Sequence, residues 1–290
     1  MPSGSAAIEW SLRIAGVGFG DRVAVSAFDY PGVIRAVEIV GARPVLVDAR
    51  DDRPTMDVDR LRDADSDATA GITAVVATHL YGHAVDLPAL SNVCLDRGWT
   101  LIEDACQCPG VRIADQPPGR HADLATLSFG GGKPLSAGSG GAVLIRSSRH
   151  AAAAGRMIDR PSDAMAMSPL ACATLWPQVE RMPEDRRHRI ATLKNQVDEA
   201  GAFWSPQADT DADVYKVPHR FADRSERDAA LSTPPRGLHE LGEPFRSAGR
   251  MSPRRVDRLH PTPNADRWAD TLTVSDLPAS DQQSRPPLKA

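Results

Sequence analysis

Along residues 1–150, short apolar runs alternate with segments whose apolar positions recur every three or four residues. The runs are 22–26 (RVAVS), 44–47 (PVLV), 71–78 (GITAVVAT), 100–102 (TLI), 124–129 (LATLSF) and 141–145 (GAVLI). Their near-continuous Val, Ile and Leu content predicts strands covered on both faces. Between them, residues 33–40 and 87–97 have helical spacing and stop at Gly41 and Gly98, the residue type that ends helices most readily. Residues 57–61 start a shorter helix. A first helix carries Ile8, Leu12 and Ala15, with Ser3 or Ser5 as its N-cap. Strands alternating with helices of about ten residues predict an α/β fold with a mostly parallel central sheet flanked by helices.

After Arg149 the pattern changes. Residues 151–156 and 170–197 read as amphipathic helices around a Pro/Met/Asp loop at 159–168. Beyond Gly201 the chain is rich in Pro, Arg, Asp and Ser and its periodicity is weak. Residues 213–219 (DVYKVPH) predict a strand and 226–231 a helix, while 281–290 (DQQSRPPLKA) have no apolar face and predict a disordered tail. The expected organisation is therefore a large α/β domain over 1–150, a helical connection with a small C-terminal α+β region over 151–278, and a tail.

Composition adds exclusions. A chain of 290 residues can bury a full core, and its net charge of −4 points away from nucleic acid. No apolar run is long enough to span a bilayer, and the first residues lack the layout of a signal peptide. Four cysteines in such a length predict reduced thiols in the cytoplasm. Cys106-x-Cys108 has the wrong spacing for a zinc knuckle or a redox pair, so no metal is expected.

The chemistry gathers in residues 101–142. One apolar run ends in Glu103 and Asp104, and another empties into Gly130-Gly131-Gly132-Lys133. A carboxylate at one strand end and a lysine past another are what a pyridoxal phosphate enzyme requires. The amine binds the cofactor, and the acid keeps the pyridine nitrogen protonated. Asp and Lys at strand ends are also ordinary surface residues, so the pair alone leaves both readings open. Ser3-Gly4-Ser5 before a helix can cradle a phosphate on free amides, or simply cap that helix. In parallel sheets ligands collect at the carboxyl ends of strands, where Tyr30, His79, Asp104 and Lys133 fall.

Taken in order, these residues resemble the DegT/DnrJ/EryC1/StrS sugar aminotransferases, pyridoxal phosphate enzymes of the aspartate-aminotransferase (type I) fold. Glu103-Asp104-Ala105-Cys106-Gln107 is similar to the family's E-D-x-x-Q strand end. Ser128-x4-Lys133 with Gly138-Ser139-Gly140-Gly141 is similar to its lysine stretch, and Ser3-Gly4-Ser5-Ala6-Ala7 to its S-G-T-A-A cradle. Ala27-Phe28-Asp29-Tyr30 falls where the family has an aromatic, and His79-Leu80-Tyr81-Gly82 is a further recurrent stretch of less certain role. The resemblance implies Lys133 as the Schiff-base lysine, Asp104 on the pyridinium nitrogen and Gln107 near the ring and its phenolic oxygen. It also implies Tyr30 stacked on the ring, with Gly4, Ser5, Ala6 and Ser128 on the phosphate. Relatives that dehydrate carry histidine at the lysine position, so Lys133 implies amino transfer. An amino-acid donor, glutamate or glutamine, would supply a keto group on a nucleotide-linked sugar or cyclitol, in a homodimer.

Three features depart from the family pattern. Members start several dozen residues earlier, the turn after the lysine lacks the acid many carry at its second position, and the loop after Arg156 lacks the asparagine that reaches a partner's phosphate. These leave two alternatives: a member that binds without catalysing, and an elimination on the same cofactor. Trp10 and Trp176, in helical patterns, are expected in a core or an interface.

Overall fold

A computed structural model describes residues 1–157, 166–200, 210–211, 216–234, 241–250 and 256–276. The chain opens with α1 (Gly4–Ile14), β1 (Arg22–Ser26), α2 (Pro31–Ile39), β2 (Arg43–Val47), α3 (Val58–Arg62), α4 (Ser66–Thr69) and β3 (Ile72–Thr78). There follow α5 (Leu87–Arg97), β4 (Thr100–Asp104), β5 (Arg112–Ile113), β6 (Leu124–Ser128), β7 (Gly141–Ile145), α6 (Ser148–Met157) and α7 (Pro169–Ala200). The remainder is β8 (Thr210–Asp211), β9 (Lys216–Arg220), α8 (Arg224–Ser232), β10 (Asp257–Arg258), α9 (Pro263–Thr271) and β11 (Leu272–Asp276).

A seven-stranded sheet in the order β10-β2-β1-β3-β4-β6-β7 forms the centre. Its neighbours pair parallel except at β6–β7. All but the first residue of β1 and of β2 is buried, as expected of strands covered on both faces. One cluster, with Leu12, Val25, Val37 and Trp268, fills one face, and a second, with Val45, Leu61, Leu90 and Leu101, fills the other. The local signals hold: Ser3 accepts from the Ala6 N–H at 3.1 Å, Asp57 caps α3, and Gly98 (φ +70°) ends α5. The strand after α5 runs two residues further than its apolar run, because Glu103 and Asp104 stay paired with Ala77 and Thr78 of β3.

Beyond residue 150, both expected helices form, as α6 and α7. The helix over 226–231 is α8, and the strand over 213–219 is described from Lys216 on. The loop at 159–168 and the tail at 281–290 lie wholly or largely outside the described residues. The short strands β5, β8, β10 and β11 and the helices α4 and α9 carried no sequence signal. Among the described residues no helix is long and apolar enough to cross a membrane, and no cluster of acidic, His and Cys side chains is arranged to hold a metal ion.

Candidate active site

The chain runs from β1 to β2 on one side and from β3 to β4 and β6 on the other. The order therefore reverses between β1 and β3, the place where open α/β sheets bind ligands beyond their strand ends. A cavity of about 510 Å³ lies there. Of the residues expected in a site, Gly4, Ser5, Tyr30, Asp104, Gln107, Ser128 and Lys133 line it. Ala6 does not, since its N–H turns to the Ser3 hydroxyl as the helix cap. His79 lies elsewhere as well. Fully buried, it bonds Glu103 Oε1 through Nε2 at 3.0 Å and accepts the Val85 N–H on Nδ1. Glu103 also accepts the Gly119 N–H at 2.7 Å, so this pair braces the strand ends from behind.

Asp104 is buried, and its Oδ1 accepts from the Cys106 N–H at 2.9 Å and the Thr126 hydroxyl at 3.1 Å. Among the described residues no Lys, Arg or His forms an ion pair with it. A second buried acid, Asp29, accepts from the Thr78 hydroxyl at 2.8 Å and the Tyr30 N–H at 2.6 Å. Burial, and then Asp104 nearby, push the Asp29 carboxyl well above the usual range. The shift disfavours a negative charge on Asp29 beside Asp104. Burial, reinforced by Asp104, raises the Cys106 thiol in the same way, so Cys106 lends the wall a neutral side chain and not a nucleophile.

Gln107 gives its amide oxygen to the Tyr81 N–H at 2.9 Å, which turns its NH₂ group to the cavity as a donor. Tyr81 holds a left-handed backbone (φ +50°), rare for a bulky residue and stabilised here by that bond. Its hydroxyl accepts the Phe245 N–H at 3.2 Å, and its ring stacks on Phe245 with centroids 5.5 Å apart. Tyr30 meets the same Phe245 ring at 5.6 Å. Tyr81 stood in a recurrent stretch without a role, and nothing in the sequence pointed to Phe245, Gly242, Lys216 or Val274, which also line the cavity.

At the opposite wall, Ser3, Gly4 and Ser5 bring the N-terminus of α1 to the cavity beside the Ser128 hydroxyl. The approach is close. A Cβ at Gly4 would lie 2.7 Å from Ser128 Cβ and 2.9 Å from Cys106 Sγ. Lys133 follows Gly132 (φ +78°), where a side chain would be strained, and its N–H closes a turn on the Gly130 carbonyl. The far end of the lysine loop is tied to α7. Gln178 accepts the Ser136 N–H at 2.9 Å and donates to the Ser136 carbonyl at 2.8 Å. Leu135 and Phe129 pack with Leu175 below it.

The sequence model of the DegT/DnrJ/EryC1/StrS aminotransferase family matches residues 1–235. A dTDP-3-amino-3,4,6-trideoxy-alpha-D-glucose transaminase from Micromonospora megalomicea is 36% identical over 156 residues, covering 53% of this chain and 41% of that protein. A pleiotropic regulatory protein from Geobacillus stearothermophilus is 30% identical over 212 residues, or 68% of this chain and 56% of that one. The chain thus spans well under two thirds of these relatives' lengths. Among solved structures, Streptomyces venezuelae DesV in complex with a ketimine intermediate superposes with a TM-score of 0.81 at 25% identity, over 95% of this chain and 78% of that one. A 3-amino-5-hydroxybenzoic acid synthase superposes at 0.80 with 21% identity, over 94% and 79%, and shares the fold.

The side chains fit pyridoxal phosphate on their own terms. A buried carboxylate that has no cationic partner among the described residues suits a pyridinium, an amide donor suits a phenolate oxygen, and the helix N-terminus with two serine hydroxyls suits a phosphate.

Proposed function

Because the chain belongs to the DegT/DnrJ/EryC1/StrS aminotransferase family, we propose that it is a pyridoxal-phosphate-dependent aminotransferase. It moves an amino group from an amino acid, glutamate or glutamine, to a keto group of a nucleotide-linked sugar or cyclitol. The observation that carries this reading is that Asp104 and Lys133, distant in sequence and borne on different strand ends, line one cavity with the N-terminus of α1. Bound pyridoxal phosphate supplies an electron sink that makes the donor's α-proton acidic.

Each side chain has a task in that chemistry. Lys133 Nζ would anchor the cofactor and, once displaced, would take the α-proton from the donor carbon. Asp104 would hold a proton on the ring nitrogen. Gln107 donates to the phenolic oxygen and Tyr30 covers the ring face. The amides of Gly4 and Ser5, with the Ser5 and Ser128 hydroxyls, hold the phosphate. Ala6 supports this cradle through the cap and not by contact. The aromatic roof of Tyr81 and Phe245 excludes water, which strengthens every charge interaction below it.

Residues 1–150 then act as the cofactor-binding part, and residues 151–278 as the part that covers it. A homodimer is supported by α7, where Leu170, Trp176 and Val179 stay exposed, Trp176 at 68%. A reducing, cytoplasmic setting is supported by the absence of any disulfide among the four cysteines.

The test is an absorbance spectrum of the chain with added pyridoxal phosphate. A visible band that glutamate or glutamine bleaches, absent in Lys133→Ala, is expected, and amino transfer in that variant falls about 10⁴-fold. A folded protein with no band would mean a non-catalytic role, and a released keto acid with ammonia would mean elimination.

A further inference from the structure

Pyridoxal phosphate is short and stiff, and its phosphate arm and its aldehyde stand on adjacent ring carbons. A site that grips the phosphate and engages the aldehyde must therefore fix the spacing between its cradle and its lysine. Here the cradle is the first turn of α1, while Lys133 stands on the loop between β6 and β7. The glycine-rich exit of that loop, Gly138 to Gly141, has no task yet and lies between the two.

The exit closes the neck of the lysine loop. Gly131 N–H donates to the Gly138 carbonyl at 3.2 Å, and Phe129 N–H to the Gly140 carbonyl at 2.9 Å. The same exit holds the chain just before α1. Gly140 forms a bridge with Ser3, and Gly141 N–H donates to the Met1 carbonyl at 2.9 Å. The Met1 nitrogen donates back to the Gly141 carbonyl, also at 2.9 Å.

Buried Gly141 begins β7 and stands opposite Ser128, whose hydroxyl belongs to the cradle. A Cβ at Gly141 would lie 2.5 Å from the Ser3 carbonyl oxygen and 2.9 Å from the Gly4 nitrogen. Both are backbone atoms, which cannot swing aside as the end of a side chain can. The strand cannot yield easily either, because β7 is held to β6 over five residue pairs. The first turn of α1 is thus wedged between Gly141 on one side and Ser128, against Gly4, on the other. Gly141 has no positive φ, unlike Gly140 at +126°, so alanine there meets a collision and no backbone strain.

We propose that Gly141 is a positioning residue that sets the phosphate cradle against the lysine loop and so makes the site selective for the phosphorylated cofactor, which rests on the aminotransferase reading above. A side chain at Gly141 pushes the amides of Gly4 and Ser5 out of line with the Ser128 hydroxyl, and the phosphate loses charge-assisted bonds that the ring does not share.

The experiment uses the full chain as wild type and Gly141→Ala, titrated with pyridoxal phosphate and, separately, with pyridoxal, each followed through the visible band. Gly141→Ala is expected to weaken pyridoxal phosphate by about 10- to 100-fold. Pyridoxal, which has no phosphate to lose, changes less than about threefold. Inorganic phosphate, titrated by calorimetry without cofactor, weakens in parallel with pyridoxal phosphate. Equal loss for the two forms of cofactor overturns the proposal, since a glycine needed only for folding would not tell them apart. So does no loss for either. If Gly141→Ala does not fold, amide hydrogen exchange on wild type decides. Inorganic phosphate then slows exchange at Ser5 and Gly141 together, and slowing at Ser5 alone overturns the proposal. If wild type gives no visible band with either form, the aminotransferase reading fails. The inorganic phosphate titration still decides the cradle, with weaker binding in Gly141→Ala supporting it, and equal binding, or none in wild type, overturning it.

Discussion

The floor and the roof of the cavity are built in different ways. The floor comes from strand ends and one helix N-terminus within residues 1–145, where neighbours in space are mostly neighbours in topology. Its strands are buried five-residue runs such as β4, its helix caps are local, and the acid, amide and hydroxyls follow immediately on those elements. The roof comes from residues 216–276, where β9 pairs with β11, and long-range contacts fasten it to the floor. Buried Trp268 of α9 donates its Nε1–H to the Arg50 carbonyl at 2.7 Å, with the Arg220 guanidinium 4.6 Å above its ring. Thr262 leaves α9 without a side-chain cap, and buried Asp48, just past β2, accepts the N–H groups of Asn264 and Ala265 instead. Asp257 holds β10 on the sheet edge through Arg22 at 3.0 Å and Arg43 at 3.3 Å. A region of low local propensity can thus complete a site when a few long-range contacts carry it.

The sharpest way to break this contrast is Trp268→Ala. It removes the largest fully buried side chain and should cost about 3–5 kcal/mol, read as a lower denaturation midpoint. If floor and roof were independent, only the roof would loosen. Because Trp268 packs in the same cluster as Val25 and Leu46 of the sheet, a single cooperative transition at lower denaturant is expected instead.

A milder change separates the two regions in function. Phe245→Ala keeps the floor intact but removes the ring stacked on Tyr81, so the cofactor band should still form while cofactor affinity falls up to about tenfold, the worth of one aromatic contact. Equal loss in thermal stability and in cofactor uptake would show that the roof acts on the fold and not on the site.

The smallest effect is a pH dependence with one contributor in each region. Burial lowers both His83, near the floor, and His219, in the roof strand β9, to about 4. Both are neutral when folded and charge on unfolding below the ordinary histidine range. Their contribution to stability is therefore full above about pH 6.5 and is lost as pH falls toward about 4. Melting temperatures should drop by a few degrees across that window, and His219→Gln should reduce the drop without abolishing it. Asp29 acts with the opposite sign. Its raised folded value makes stability fall as pH rises above about 4, so Asp29→Asn should stabilise the cofactor-free chain at neutral pH.

Much of the floor was legible beforehand. Alternating apolar runs and capped helices announced a parallel sheet, and the carboxyl ends of its strands were the place to look for Asp104, Gln107, Ser128 and Lys133. Two expectations there met a local competitor. Ala6 loses its amide to the Ser3 cap, and His79 loses both ring nitrogens to Glu103 and Val85. Neither follows from residue type, because a backbone amide or an imidazole points wherever its nearest partner lies. The short strands β5, β8, β10 and β11 were not legible, since two to five residues with mixed polarity carry no period.

The order of residues by itself determined the sheet, its helices, and which side chains would stand at the strand ends, because those depend on the local pattern of burial and on turns closed within a few residues. Only the tertiary structure decided that Asp29 would lie beside Asp104, that Tyr81 would adopt a left-handed backbone against Gln107, and that Lys216 and Phe245 would close the cavity above them. Those choices depend on charges and rings brought together from segments more than a hundred residues apart, or across neighbouring strands, and their energies exist only once the chain has packed.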